Sequence, residues 1–424
     1  MKLNDFPRPA RNTGWGMHDS SSTGSFPYSW DENTRKLLAM GCSWKKVLAD
    51  GANKVKWVEH MSAHGLGIIV RTYAHKPHPA STPAADVVRQ YVEAGAHYFE
   101  FGNEPNIGED EWSDWPGNAH LGEKLAQQWL RGANEVKRAG GIPLFFAMTP
   151  GGRVNHRETW RQVIEALDKR NALDSLKGAG VAVHVRPLNN PLDTPREDGN
   201  AVSKDGVPIF VDANGEFLRY ANTTTHEEYT WFIDFFREHL GYCPPLFGTE
   251  AGYSIGDHQN DQYFAITRET HADWNHELAT RFHPSHPKCW PAELVCEAYW
   301  LGREGGTWRG DEVERTELYA RLLANPPRDG RNALYKGGPT PPDPQPPAGD
   351  AAAAARNAAW TSAGVAYNPE AAFQRAARAR GWAAPLTGEF DFAVDGVRYR
   401  GQGFAGGIVY AKVGEWGDIR EVAW

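Results

Sequence analysis

The ten residues His97–Asn106, HYFEFGNEPN, decide how the rest of the chain is read. His97 to Phe101 form an apolar run of the length of a buried strand. The run passes without a spacer into Gly102, Asn103, Glu104 and Pro105. A carboxylate and an amide thus stand at the end of a strand, on a turn that a proline stiffens. Such a placement has chemical meaning only in a fold whose strand ends converge on one place.

Short apolar runs alternate with amphipathic segments from about residue 12 to 325, giving eight run-then-helix units. The runs are Trp15 to His18, Cys42 to Leu48, Leu66 to Thr72, the His97 stretch, Pro143 to Met148, Val181 to Val185, Pro245 to Thr249 and Leu294 to Trp300. The intervening helices are expected near residues 33–40, 55–64, 83–94, 121–138, 158–167, 228–240, 261–277 and 312–323. Thr82 with Pro83 gives a start signal for the third helix, and Thr225 with Glu228 reads as a capping box for the sixth. Strands apolar throughout and separated by helices imply a parallel sheet covered on its outer face. Eight such units fit an α/β fold of the (β/α)8 TIM-barrel type with long βα loops. The alternative, an open doubly wound sheet, usually carries a Gly-rich phosphate loop. No GxGxxG or GxxxxGK[ST] occurs here, which argues against nucleotide binding.

Residues 1–335 are therefore read as the barrel. The sixth unit carries a long insertion, about Pro187 to Thr224, with a hairpin expected to turn at Asn214-Gly215 and to form one wall of a cleft. A Pro/Ala-rich linker or strap follows at 336–366. Residues 367–424 read as a small, strand-rich accessory module, with one helix and a turn at Asp395-Gly396.

The composition is that of a globular protein, 41% hydrophobic and 23% charged. A net charge of −8 argues against general affinity for nucleic acid or anionic membrane, which needs a basic face. No run reaches the ~18 apolar residues of a membrane helix, and the N-terminus lacks the apolar core of a signal peptide. The expectation is a cytoplasmic protein, or a secreted one whose signal has been removed. The four cysteines, Cys42, Cys243, Cys289 and Cys296, have no zinc spacing and read as free thiols. No metal or cofactor is implied, and the sequence is silent on oligomeric state. Several of the 17 Trp fall in loop-like stretches (Trp112, Trp115, Trp290, Trp308), where aromatic faces suit the stacking of sugar rings.

In a barrel, reactive groups sit at the C-terminal ends of the strands. Glu104 ends the fourth run, and Glu250, within LFGTEAGY, ends the seventh, 146 residues later (250 − 104). The bland alternative makes Glu104 a helix cap and Glu250 a solvated loop acid. Together, however, GNEPN and TE resemble the signature of clan A glycoside hydrolases, (β/α)8 enzymes that cleave glycosidic bonds with retention. The resemblance spans about residues 12–325 in architecture and rests on a handful of residues. It implies that Glu104 is the acid/base and Glu250 the nucleophile. Such enzymes need one carboxylic acid and one carboxylate ~5–5.5 Å apart. Proximity to Glu250 is then expected to keep Glu104 protonated.

The same resemblance assigns Asn103 to the 2-hydroxyl of the sugar, His184 to the vicinity of the nucleophile, and Trp300 to the floor of the subsite holding the cleaved sugar. The clan usually carries an arginine on its second strand to support the nucleophile. Here Lys45 and Lys46 occupy that run and Arg71 ends the third, so the support is left open. His18 and Asp19 are candidates for sugar hydroxyls, and Trp112 and Trp115 for stacking on the leaving-group side. The expected function is a retaining, endo-acting hydrolase of a β-linked polysaccharide or oligosaccharide; the alternative is a non-catalytic carbohydrate-binding barrel.

Overall fold

A computed structural model describes residues 2–19, 29–72, 83–107, 121–188, 190–204, 206–255, 265–302, 312–335, 372–380, 382, 385–394, 396–404, 406–416 and 418–422. The chain divides into two compact units, Met1–Thr340 and Pro341–Trp424. In the first, eight parallel strands close a barrel: β1 (Trp15–His18), β2 (Trp44–Ala49), β3 (Gly67–Thr72), β4 (Tyr98–Phe101), β5 (Ile142–Phe145), β6 (Gly180–Val185), β10 (Leu246–Ala251) and β11 (Leu294–Tyr299). The helices between them are α1 (Trp30–Ala39), α2 (Val55–Ala63), α3 (Ala85–Glu93), α4 (Leu121–Arg138), α5 (His156–Asp168), α6 (Glu228–Leu240), α7 (Arg268–Thr280) and α8 (Glu317–Ala324). The fold is the eight-stranded barrel that the alternation of runs and helices implied. No described helix is long and apolar enough to cross a membrane.

Two apolar regions hold the barrel. Trp44, Ile69, Tyr98, Leu144, Ala182 and Phe247, from six strands, pack together with Phe6. Residues from so many strands meet only inside the barrel, where the layered side chains of the fold belong. The larger cluster lies between strands and helices. There Trp129 of α4 stacks on Phe101 of β4 with ring centroids 5.8 Å apart. Gly132, one turn further along α4, comes so close that an added Cβ would lie 2.3 Å from the Phe101 ring. Gly132→Ala gains about 1 kcal/mol of helix propensity. Even so, overpacking should leave the protein about 1–3 kcal/mol less stable in urea titration. An unchanged or raised midpoint would contradict this close approach.

The insertion between β6 and α6 carries a three-stranded sheet of β7 (Ala201–Val202), β8 (Pro208–Val211) and β9 (Phe217–Tyr220). The β8–β9 hairpin turns as its sequence implied: Gly215 has φ 81°, and Asp212 Oδ1 accepts from the backbone N–H of Asn214 at 2.8 Å. Ion pairs tie the insertion to the barrel, Arg157 to Asp198 at 3.0 Å and Arg281 to Asp193 at 2.9 Å.

Several local expectations are corrected. The capping box of Thr225 and Glu228 does not form. Glu228 is buried and serves Arg157, at 2.6 and 2.7 Å, and His156, at 2.7 Å. A buried guanidinium makes a stronger claim on a carboxylate than a helix end does. The seventh helix starts at Arg268 rather than near residue 261, and the eighth is a short 3-10 turn, Val313–Arg315, before α8. The fifth strand ends at Phe145. Trp290 is buried core: its Nε1 donates to Leu278 O at 3.0 Å and its ring packs on His226 and Tyr229. Thr82, Trp112, Trp115, Trp308, Asp395 and the 336–366 linker lie outside the described residues. All four cysteines are free, Cys42 and Cys296 buried and the other two half-buried.

The second unit has a four-stranded antiparallel sheet, Pro385–Val394, Val397–Phe404, Gly407–Lys412 and Arg420–Val422, in that order. The helix Ala372–Ala379 packs on one face of it, Phe373 and Ala377 against Phe404, Val409 and Ala411.

Candidate active site

The inner wall of the barrel changes character over one strand period. Two residues beyond Trp44, Ile69, Tyr98 and Ala182 stand Lys46, Arg71, Glu100 and His184, and two beyond Phe247 stands Thr249. Strand side chains repeat every second residue. An apolar layer is therefore followed by a charged one toward the C-terminal mouth. Strand β10 adds one more group there. Gly248 pairs with Val183 of β6, but Glu250 pairs with His184, so Thr249 is an extra residue. Such a bulge re-aims side chains. Here it brings Glu250 beside His184 while Thr249 still faces Glu100 at 3.4 Å.

Glu104 stands one turn beyond β4. Its backbone N–H donates to Ala147 O at 3.0 Å, and Ile107 N–H donates to Glu104 O at 2.9 Å. Asn106 links this turn to the segment after β5, donating to Thr149 O at 2.8 Å and Val154 O at 3.0 Å and accepting from Thr149 N–H at 3.0 Å. These bonds hold Glu104 at φ 41°. A non-glycine residue there costs about 1–3 kcal/mol, a strain that collects at functional sites.

His184 lies between the two glutamates. Its Nδ1 is 2.6 Å from Glu104 Oε1 and its Nε2 is 3.7 Å from Glu250 Oε1. One ligand atom each of Glu104, His184 and Glu250 lie within 4.8 Å of one another. Glu250 is ringed by cations: Arg71 at 3.3 Å, Lys46 at 3.7 Å and Arg186 at 3.8 Å. Arg71 also donates to Asn103 Oδ1 at 2.6 Å, and Lys46 pairs with Glu100 at 2.9 Å. His18 Nε2 is 3.7 Å from Glu250, and the imidazole meets the Trp300 ring edge-on at 4.5 Å. Arg186 lies over the other part of this wall, 5.6 Å from the Trp300 ring centroid.

All described candidates, His18, Arg71, Asn103, Glu104, His184, Glu250 and Trp300, thus meet in one cluster. Asp19 is fully buried beside His18, 3.2 Å from Lys45 and 3.7 Å from Lys54. The arginine beside Glu250 comes from the third strand, while the second strand supplies Lys46. Three further groups were not singled out in the sequence: Glu100, Arg186 and Thr149. Glu100 was legible, because a charge inside an apolar run needs a buried partner.

The protonation expected of Glu104 is corrected. Burial acts to raise its carboxyl, but the charge and hydrogen bond of His184, then Arg186 and the Thr149 side chain, outweigh it and hold it at about 2. Glu104 is thus held as a carboxylate. The sequence supplied the neighbouring acid but not the imidazole placed against it. Glu100 is likewise held low: burial opposes ionisation, and Lys46, Arg71 and His184 overcome it. Burial, then Lys46, Arg71, Lys45 and His184, drives His18 well below the ordinary imidazole range, so it is neutral. Neither His18 ring nitrogen, nor His184 Nε2, has a hydrogen-bond partner among the described residues. Buried polar atoms without partners point to a ligand that supplies them.

Glu104, His184 and Glu250 also form the group of potential metal ligands found among the described residues. Three cations within 3.8 Å of Glu250 already satisfy its charge and would repel a dication.

No family model matches this chain, and no curated protein matches it. Solved structures with a similar fold include a GH128 subgroup II endo-β-1,3-glucanase from Sorangium cellulosum, 12% identical, covering 74% of this chain and 99% of that one, with a TM-score of 0.42. An endo-1,4-β-mannanase from Rhizomucor miehei is 10% identical over 76% of this chain and 97% of that one, with a TM-score of 0.41. A truncated 3-deoxy-D-arabino-heptulosonate 7-phosphate synthase from Thermotoga maritima is 11% identical over 76% and 88%, with a TM-score of 0.35. Likeness at this level does not extend to function.

Proposed function

We propose that this chain is a retaining glycoside hydrolase that cleaves a β-linked polysaccharide or oligosaccharide, with Glu104 as acid/base and Glu250 as nucleophile. The observation that carries the reading is the approach of the two carboxylates, an oxygen of each within 4.8 Å, at the mouth of a closed barrel. Double displacement needs a short separation, whereas an inverting pair leaves room for a water at ~6.5–9.5 Å.

In the first step a Glu250 oxygen attacks the anomeric carbon as the bond to the leaving oxygen breaks. Glu104 gives that oxygen a proton. In the second step water attacks the same carbon from the vacated face, Glu104 takes the water's proton, and the bond to Glu250 breaks. Glu104 must be protonated for the first step, yet its neighbours hold it as a carboxylate. A doubly protonated His184, its Nδ1 2.6 Å away, would supply that proton and recover it from Glu104 after the second step. A bound sugar excludes water and removes solvation from the Glu104 charge, so the proton passes to the carboxyl. Arg71 occupies the Asn103 oxygen, which leaves the Asn103 amide N–H to donate to a sugar hydroxyl. His18 and His184 Nε2 offer the partnerless nitrogens, and Trp300 a ring face. The insertion leaves the barrel at Arg186, on the rim of the site, and suits a cleft that holds several sugars for endo cleavage.

Proton NMR of the first product formed from a panel of β-glucans, mannans and xylans tests the reading. The β-anomer should appear first and mutarotate afterwards. The α-anomer first would refute retention. Binding without any cleavage would favour the non-catalytic carbohydrate-binding alternative.

A further inference from the structure

Glu100 is buried on β4, four residues before Glu104, and touches neither of the two carboxylates of the proposed reaction. Its oxygens face Lys46 of β2 at 2.9 Å and the Thr249 hydroxyl of β10 at 3.4 Å. Lys46 is fully buried, and its only other carboxylate among the described residues is Glu250 at 3.7 Å. One ammonium therefore stands between two carboxylates, nearer to Glu100. Thr249 is the bulged residue that sets the direction of Glu250. Both routes from Glu100 end on Glu250. We propose that Glu100 is a positioning residue for Glu250: it draws Lys46 away from the nucleophile and fixes the Thr249 bulge. This rests on the reading of Glu250 as nucleophile.

The physical argument compares the two carboxylates' claims on one cation. Burial lowers Lys46, and Glu100 is the larger of the two carboxylate influences that restore its charge. With Glu100 present, Lys46 is held 2.9 Å from Glu100 and short of contact with Glu250, at 3.7 Å. A nucleophile locked in a tight ion pair attacks poorly, because its lone pair is already engaged. Without the Glu100 charge, Lys46 is free to close on Glu250. The charged and titratable groups facing this arrangement are Lys46 on β2, Arg71 on β3, His184 on β6 and Glu250 on β10, with neutral His18 on β1 beside Lys46.

The test uses Glu100→Gln, which keeps the shape and removes the charge, and Glu100→Asp, which keeps the charge at greater distance. The full chain, labelled with 13C at glutamate carboxyls, is titrated by NMR, and the Glu250 signal is assigned by its loss in Glu250→Gln. In Glu100→Gln the Glu250 titration should move to lower pH, because a negative neighbour is lost and Lys46 closes in. In Glu100→Asp it should stay within a few tenths of the parent. On a cleavable glycan, kcat of Glu100→Gln should fall about tenfold or more with KM changed less than about threefold, since misplacement acts on the reacting geometry. A purely structural Glu100 would lower stability in both variants and leave the Glu250 titration in place; that result overturns the proposal. The NMR titration needs no substrate. A parent protein without glycosidase activity therefore removes the functional reading, while the Glu100 coupling is still decided.

Discussion

Glu250→Gly should lower kcat on a β-glycan by roughly 10⁴-fold or more, the scale on which enzymes lose activity with their nucleophile. Azide should restore turnover and yield the α-glycosyl azide. Without Glu250 no covalent intermediate forms, so a small anion must attack the anomeric carbon from the face that Glu250 occupied. One displacement replaces two, and the configuration inverts. The site favours the anion, because Arg71, Lys46 and Arg186 all stand within 3.8 Å of the lost carboxylate. The fold should survive, because each cation keeps another partner: Asn103 for Arg71, Glu100 for Lys46 and Ser254 for Arg186. Azide product of retained configuration, or full activity in Glu250→Gly, would remove Glu250 from the role.

Much of this arrangement was legible in the sequence because barrel strands have a simple grammar. Apolar runs between helices gave the closed parallel sheet, and polar residues at run ends gave Asn103, Glu104, His184 and Glu250. The same grammar held more than end positions. WKK, IVR, YFE and AVH each place a charged or titratable residue two places beyond an apolar one, and that period marks the charged layer containing Lys46, Arg71, Glu100 and His184. What sequence could not supply was partner choice. Glu228 looked like a helix cap until the fold brought Arg157 against it, 71 residues away in the chain. Asp19 gave no sign of its buried ion pairs with Lys45 and Lys54. The Thr249 bulge, which decides where Glu250 points, depends on register against both neighbouring strands and has no local signature.

The second large effect falls on Glu104, and its size should depend on the leaving group. Glu104→Ala should lose roughly 10²–10⁴-fold in kcat on a glycan, the usual worth of general acid catalysis. On an aryl β-glycoside with an acidic phenol the loss in the first step should be small, because that leaving group departs without a proton. Azide should then accelerate the second step and give the β-glycosyl azide, since Glu250 still forms the intermediate and azide attacks the same face as water. The depressed carboxyl adds a stability signature. Glu104 ionises at about 2 in the folded protein, against ~4.3 for an unfolded chain. Its contribution is therefore fully present above the unfolded value and lost as pH falls through the folded one. That difference corresponds to about 3 kcal/mol. Urea titrations of parent and Glu104→Ala should differ by that amount at pH 6 and converge toward pH 2. A gap that stays constant with pH would mean that His184 does not hold Glu104 ionised, and the proton source proposed for the first step would fall with it.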